Sequence, residues 1–301
     1  MMAPDYYPEF CCIADRCKHS CCKGWEIDID PDTLKMYQQM QGEWGEKLRS
    51  QIDICEETAS FHLRDDESCP FLNESGLCDL ILEFGEEVLC QICTDHPRFY
   101  HEYADRTEVG LGLCCEEAAR LILCRQEPVR MIALTDDGET FEPDQAEQSF
   151  FVWREMLLEQ LQNRKYSFEE RIEKLCRREH LPSITNAYMM DSIPFLLELE
   201  QMDEAWGRML ENVHPSELNG WDTGFEQFMC YLLIRHLKPH GQNRITLLFC
   251  LFACKLVQLL FSSHQTAENL IEIARLFSSE IEYSDENVDL IMEKLQRDFV
   301  L

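Results

Sequence analysis

The chain has 301 residues, a length that suggests about two domains of about 150 residues each. Its 27 Lys and Arg stand against 57 Asp and Glu, a formal net charge of −30 with no basic cluster anywhere. Phosphate binding needs a basic face that releases counterions, so nucleic acid is excluded as a partner. Apolar residues make up 45% of the chain, enough for a buried core and too many for global disorder.

Sulfur divides the chain before any motif is read. Of seventeen cysteines, thirteen lie at or before Cys124. Such chains are either secreted disulfide scaffolds or intracellular metal proteins. The opening residues MMAPDYYPE carry neither a basic region nor an apolar run, so no signal peptide is expected and the location reads as cytoplasmic. Thiols stay reduced there, and a dense set of them points to metal rather than to bridges.

Residues 1–134 read as an irregular, cysteine-rich metal-binding domain with short helices. Asp30-Pro31-Asp32 predicts a helix start, with an aspartate as cap and Leu34, Met36, Tyr37 and Met40 following. A short helix is expected over 86–93, stopping before Pro97 because the residue ahead of a proline is pushed out of the α region. The alternation over 107–113 predicts a strand, and 116–123 resumes a helical period. Gly110-x-Gly112 lacks the further glycine that would open a dinucleotide-binding helix.

The polar stretch 135–140, followed by Pro143, is the expected domain boundary. Beyond it, residues 135–301 read as an all-α domain, with apolar residues at three and four spacing over 148–163, 167–179, 192–212, 224–237, 245–264, 266–278 and 285–299. Pro182, Pro194, Pro215 and Pro239 are expected at or near helix ends. The fold class is therefore mainly α, a cysteine-rich part followed by a helical bundle. The longest apolar run, 245–261, is interrupted by Lys255 and Gln258 and falls short of the about 20 residues that span a bilayer. It reads as a buried core helix, and no membrane partner is expected.

Cys12-x4-Cys17-x3-Cys21-Cys22 packs four thiols into 11 residues and runs on as Lys23-Gly24-Trp25. Cys69-Pro70-Phe71-Leu72, Cys78, Cys90-x2-Cys93 and Cys114-Cys115 follow. Thiolates arriving in close groups from separate loops suit iron–sulfur clusters and zinc. An isolated cysteine is more simply a small buried hydrophobe, which is the reading for Cys55, Cys90, Cys124, Cys176, Cys230, Cys250 and Cys254. Zinc remains the alternative to a 4Fe-4S cluster, although Cys90-x2-Cys93 is the only C-x2-C pair of the kind zinc prefers.

Read in order, these motifs resemble the flagellin lysine-N-methylase family (FliB). The resemblance runs through Phe10, Cys12, Cys17, Cys21-Cys22-Lys23-Gly24-Trp25, Asp28-x-Asp30, Cys69-Pro70-Phe71-Leu72, Gly76-Leu77-Cys78, Gly85-Glu86, Cys93, Pro97-Arg98 and Cys115-x-Glu117-Ala118-Ala119-Arg120. The helical half is similar more loosely, through Tyr231 to His236. The resemblance implies methyl transfer from S-adenosylmethionine to lysine ε-amines of a protein such as flagellin, with an iron–sulfur cluster held by N-terminal cysteines. The expected ligands are Cys12, Cys17, Cys21, Cys22, Cys69, Cys78, Cys93 and Cys115.

A lysine amine, with a pKa near 10.4, must lose a proton before it can attack a sulfonium methyl, and it must be held in line. Carboxylates and aromatic rings attract both cations. Trp25, Asp28, Asp30, Tyr100 and Tyr103 lie near the motifs, and Arg98 and Arg120 offer guanidinium groups for a carboxylate. Trp25, Asp28, Arg98 and Tyr100 are the catalytic candidates, each with a structural reading beside it. His19 and His96 could ligate metal, but the eight cysteines already suffice for two four-ligand sites. A rival from another class is a non-enzymatic metal-binding or redox-sensing module that docks a basic protein.

Overall fold

The computed structural model describes residues 1–55, 58–135 and 141–299. In chain order these form β1 (Met2–Pro4), α1 (Pro31–Gln39), α2 (Gly42–Arg49), β2 (Ile52–Cys55), β3 (Thr58–Phe61), α3 (Asp79–Phe84), α4 (Gln91–Asp95), β4 (Arg98–Glu102), β5 (Thr107–Leu111), α5 (Glu116–Leu123) and β6 (Met131–Ala133). Helices then follow without a further strand among the described residues: α6 (Gln145–Leu161), α7 (Phe168–Arg178), α8 (Asn186–Glu198), α9 (Glu204–Glu211), α10 (Asp222–His236), α11 (Asn243–Phe261), α12 (Ala267–Phe277) and α13 (Asp285–Phe299). A π-helical turn, Ser278–Glu282, follows α12. The chain is mainly α, as its periodicity predicts.

The chain divides into two compact units, Cys11–Arg98 and a second made of Met1–Phe10 with Phe99–Leu301. The cysteine-rich unit therefore ends well before the boundary expected after residue 134. The cause is β1. Met2, Ala3 and Pro4 pair antiparallel with Ala133, Ile132 and Met131, and Met2 pairs parallel with Glu108, giving the sheet order β4-β5-β1-β6. Backbone hydrogen bonds thus tie the first residues to 107–133. The same unit holds α5, whose Ala118, Ala119, Ile122 and Leu123 are buried against α10 and α12. The linker expected over 136–140 lies outside the described residues.

In the cysteine unit, Asp30 caps α1 as its position before Pro31 predicts, accepting from the Thr33 amide at 3.0 Å. Helix α2 approaches so closely that a Cβ on Gly45 would lie 2.0 Å from the Met40 carbonyl oxygen. The hairpin β2–β3, in register Ile52↔Phe61, covers a small core of Ile27, Ile29, Tyr37, Leu48, Phe61, Phe71 and Leu80. The helix expected over 86–93 is broken. A 3₁₀ turn, Glu86–Val88, ends at extended backbone on Leu89 and Cys90, and α4 begins afresh at Gln91.

The helical unit follows its capping signals. Ser167 and Glu170 form a capping box at α7, and Thr266 caps α12. Helix α11 is long and apolar enough to cross a membrane by length and composition, but 83% of its apolar window is buried, against α8, α10, α12 and α13 among others. Two expectations are corrected. The helix expected over 192–212 is two, α8 and α9, separated where Leu199 turns to extended backbone. Pro194 sits inside α8 rather than at its end, because Thr185 caps the Tyr188 amide and starts the helix earlier, aligning Met189, Ile193 and Leu196 toward the core.

Candidate functional site

Three segments of the cysteine unit meet. The Cys69 amide donates to the Cys22 carbonyl at 2.8 Å, and Lys23 bridges to Ser68 beside it. A tight turn then returns the chain from Leu72 to Cys78: Asn73 Oδ1 accepts from the amides of Ser75 and Leu77, and Gly76 takes a φ of +77°. That φ favours glycine. Arg64 braces the turn by donating to the carbonyls of Pro70 and Leu72, both at 2.7 Å. The third segment is α4, whose Gln91 amide donates to Asp30 Oδ2 at 2.8 Å. One aspartate therefore caps two helices, and it is held below the usual carboxylate range by those amides against the opposing effect of burial.

The thiols of Cys22, Cys69, Cys78, Cys90 and Cys93 form one electrostatically linked group where these segments meet. Cys22 is lowered to about 7, chiefly by a hydrogen bond with the Cys21 thiol and further by Ser20. Burial pushes Cys69 up to about 12 and raises Cys78. Cys90 and Cys93 lie 3.4 Å apart, sulfur to sulfur. Their shared proton lowers Cys90, and the same contact, with burial, raises Cys93. Among the described residues no three Cys, His, Asp or Glu side chains stand ready to hold a metal ion, so the metal-binding character expected of this part is not shown. The chemistry of the donor set fits a soft ion all the same. Zinc–thiolate bonds of about 2.3 Å imply tetrahedral sulfur–sulfur edges of about 3.8 Å, close to the Cys90–Cys93 separation.

The group contains four of the eight expected ligands and one cysteine assigned to packing. Cys90 is buried in the small core, as the packing reading expects, and its C-x2-C spacing also sets its thiol beside that of Cys93. Of the other expected ligands, Cys21 touches the group through the Cys22 thiol and the rest lie outside it. Cys12 accepts from the Ala14 amide at 3.4 Å, Cys17 donates to the His19 carbonyl at 3.1 Å, and Cys21 is exposed beside Cys22. Cys115 belongs to the other unit, at the N-cap of α5.

The catalytic candidates have structural bonds. Trp25 Nε1 donates to the Cys21 carbonyl at 2.7 Å, and its ring stacks on His96, which burial holds near 4 and therefore neutral. Arg98 donates to the Thr94 carbonyl at 3.2 Å. Asp28 is exposed and bridges through its backbone to Ser60. Tyr100 is exposed on β4, and Tyr103 packs edge-on against Phe151. Arg120 pairs in bidentate fashion with Glu117 on its own helix, at 2.6 and 2.7 Å.

The helical unit holds a second polar centre that composition and periodicity did not disclose. Glu282, fully buried on the π-helical turn, accepts from Tyr231 Oη at 2.8 Å, contacts His236 Nε2 at 2.6 Å and pairs with Arg235 Nε at 3.3 Å. Arg235 holds its carboxyl down to about 2 against burial, and His236 adds to the effect. Arg235 also lies over the rings of Phe99 and Tyr283. The detectable signal was Tyr231 and Arg235, four apart on one face of an apolar helix.

The chain is similar to lysine-N-methylases of Salmonella. Those of Salmonella typhimurium (strain LT2) and Salmonella choleraesuis are each 27% identical to it over 158 residues, covering 46% of this chain and 36% of theirs. The flagellar biosynthetic protein FliU of Salmonella muenchen is 28% identical over 140 residues, covering 40% of this chain and 75% of its own. The chain thus spans about a third of the length of the lysine-N-methylases it matches. No family model and no solved structure matches it.

Proposed function

We propose that the chain is a protein-lysine N-methyltransferase, moving a methyl group from S-adenosylmethionine to a lysine ε-amine, with a lysine-bearing protein such as flagellin as its cytoplasmic substrate. The observation that carries this reading is the similarity to the Salmonella lysine-N-methylases. The flagellar name of the third relative supports the choice of substrate. A net charge of −30 suits capture of a lysine-bearing partner, since an acidic surface steers cations toward it.

Cys22, Cys69, Cys78 and Cys93, with Cys90 beside them, are the residues that would hold a thiolate-ligated metal, an iron–sulfur cluster in the first instance and zinc in the second. When bound, the metal supplies a cross-link among three chain segments. The protein itself already orders these segments through Asp30, Arg64 and Asn73, so the site is prepared by hydrogen bonds rather than by the thiols alone.

The test uses anaerobically purified, metal-loaded protein incubated with S-adenosylmethionine and flagellin. Mass spectrometry is expected to find methylated lysines, and metal analysis is expected to find iron with acid-labile sulfide. Metal-loaded protein that neither binds S-adenosylmethionine nor methylates flagellin would be the non-enzymatic metal-binding module instead.

A further inference from the structure

A cavity of 610 Å³ in the helical unit opens between the start of α7, the segment 215–218 and the C-terminal half of α11. A second, of 170 Å³, shares Glu169, Lys255 and Gln258 in its walls. The shared wall is one stripe of α11, in which Leu251, Lys255, Gln258 and Ser262 recur at helical spacing. From Leu247 to Phe261, Lys255 and Gln258 alone break an apolar sequence. Lys255 makes no ion pair among the described residues, and the Gln258 carboxamide, on a residue only 6% exposed, finds no hydrogen-bond partner among them. The carboxamide is not sealed in the core but reaches the cavity, where a bound molecule can supply its partner.

The charges specify that partner. Glu169 and Glu217 line the larger cavity with Lys255, and no ion pair joins either carboxylate to the ammonium. One cleft thus presents a cation and two anions that leave one another free, beside a lobe walled by Phe168, Ile172, Ile184 and Leu251. A ligand that answers all three features has a carboxylate, a nearby ammonium and an apolar or aromatic body. The volume lies within the range of small-molecule sites.

We propose that this cleft binds the methyl donor S-adenosylmethionine by its amino-acid end, with the carboxylate on Lys255 and Gln258 and the ammonium toward Glu169 and Glu217. The assignment rests on the methyl-transfer reading given above. Calorimetry on the full chain tests it, with S-adenosylhomocysteine as probe and methylthioadenosine, which lacks the amino-acid end, as control. Lys255→Met is expected to weaken S-adenosylhomocysteine about tenfold or more while leaving methylthioadenosine unchanged. Glu169→Gln, on an exposed position that cannot harm the core, is expected to weaken it severalfold and decides the matter if Lys255→Met fails to fold. Equal affinity in wild type and variants overturns the cleft assignment and leaves methyl transfer standing, as does an equal loss for both ligands. No binding of S-adenosylhomocysteine to the wild type refutes the methyl-transfer reading and the cleft with it.

Discussion

Replacing Glu282 by Gln keeps the volume of the side chain and removes the charge that Arg235 and His236 face. A carboxyl held near 2 rather than near its ordinary 4.5 favours the ionised folded state by about 3 kcal/mol, at about 1.4 kcal/mol per pH unit. The folded value lies below the unfolded one, so this contribution is complete above about pH 4.5 and is lost as the pH falls toward 2. The variant also leaves Arg235, largely buried, without its carboxylate, a change that costs about 3–5 kcal/mol in buried pairs. Urea unfolding followed by circular dichroism at about pH 7, 5 and 3 reads the difference. Glu282→Gln is expected to be less stable by about 3 kcal/mol near neutrality, with a melting point lower by roughly 6–12 °C, and the gap is expected to shrink as wild type approaches the acid limit. A gap below about 1 kcal/mol near neutrality, or one that stays constant down to about pH 3, would refute the account of the buried carboxylate.

Three further outcomes follow from the structure. In anaerobically loaded protein, Cys22→Ser and Cys93→Ser are each expected to lose most of the bound metal, whereas Cys55→Ser, exposed on β2, retains it; metal analysis of the purified variants decides. Asp30→Ala removes caps from α1 and α4 together, and thermal melting should show a loss of about 2 kcal/mol, twice that of an ordinary cap. Gly45→Ala places a methyl group 2.0 Å from a backbone oxygen; α1 and α2 must move apart, and denaturant unfolding should show a loss of about 1–3 kcal/mol.

Caps and periods were legible in the sequence because their causes are local. Asp30, Ser167 and Thr266 each accept from the amide three residues on, and each starts a helix as its chemistry dictates. The role of β1 was not legible, since three residues carry no period and their partners lie beyond residue 100. The helix over 86–93 fails for a similar reason: the local pattern favours one helix, and extended backbone at Leu89 and Cys90 prevails. The Glu282 centre escaped notice because burial of a charge is decided by distant partners, here Tyr231, Arg235 and His236. The cleft is legible only as an interruption, Lys255 and Gln258 in an apolar run, because the sequence shows two polar residues on one helix and not what opens opposite them.

The position of the cysteine unit between Phe10 and Phe99 bears on the order in which the polypeptide acquires structure. Cys11–Arg98 is continuous in sequence, so all its contacts become available once Arg98 has left the ribosome. β1 has no such option: its neighbours in the sheet, β5 and β6, are synthesised last among the strands. Closing contacts over so long an intervening stretch is slow, and units that are contiguous fold ahead of it. The thiol-rich unit is thus the first to mature, and its thiols are gathered while the strand that completes the sheet of the other unit still waits for its partners.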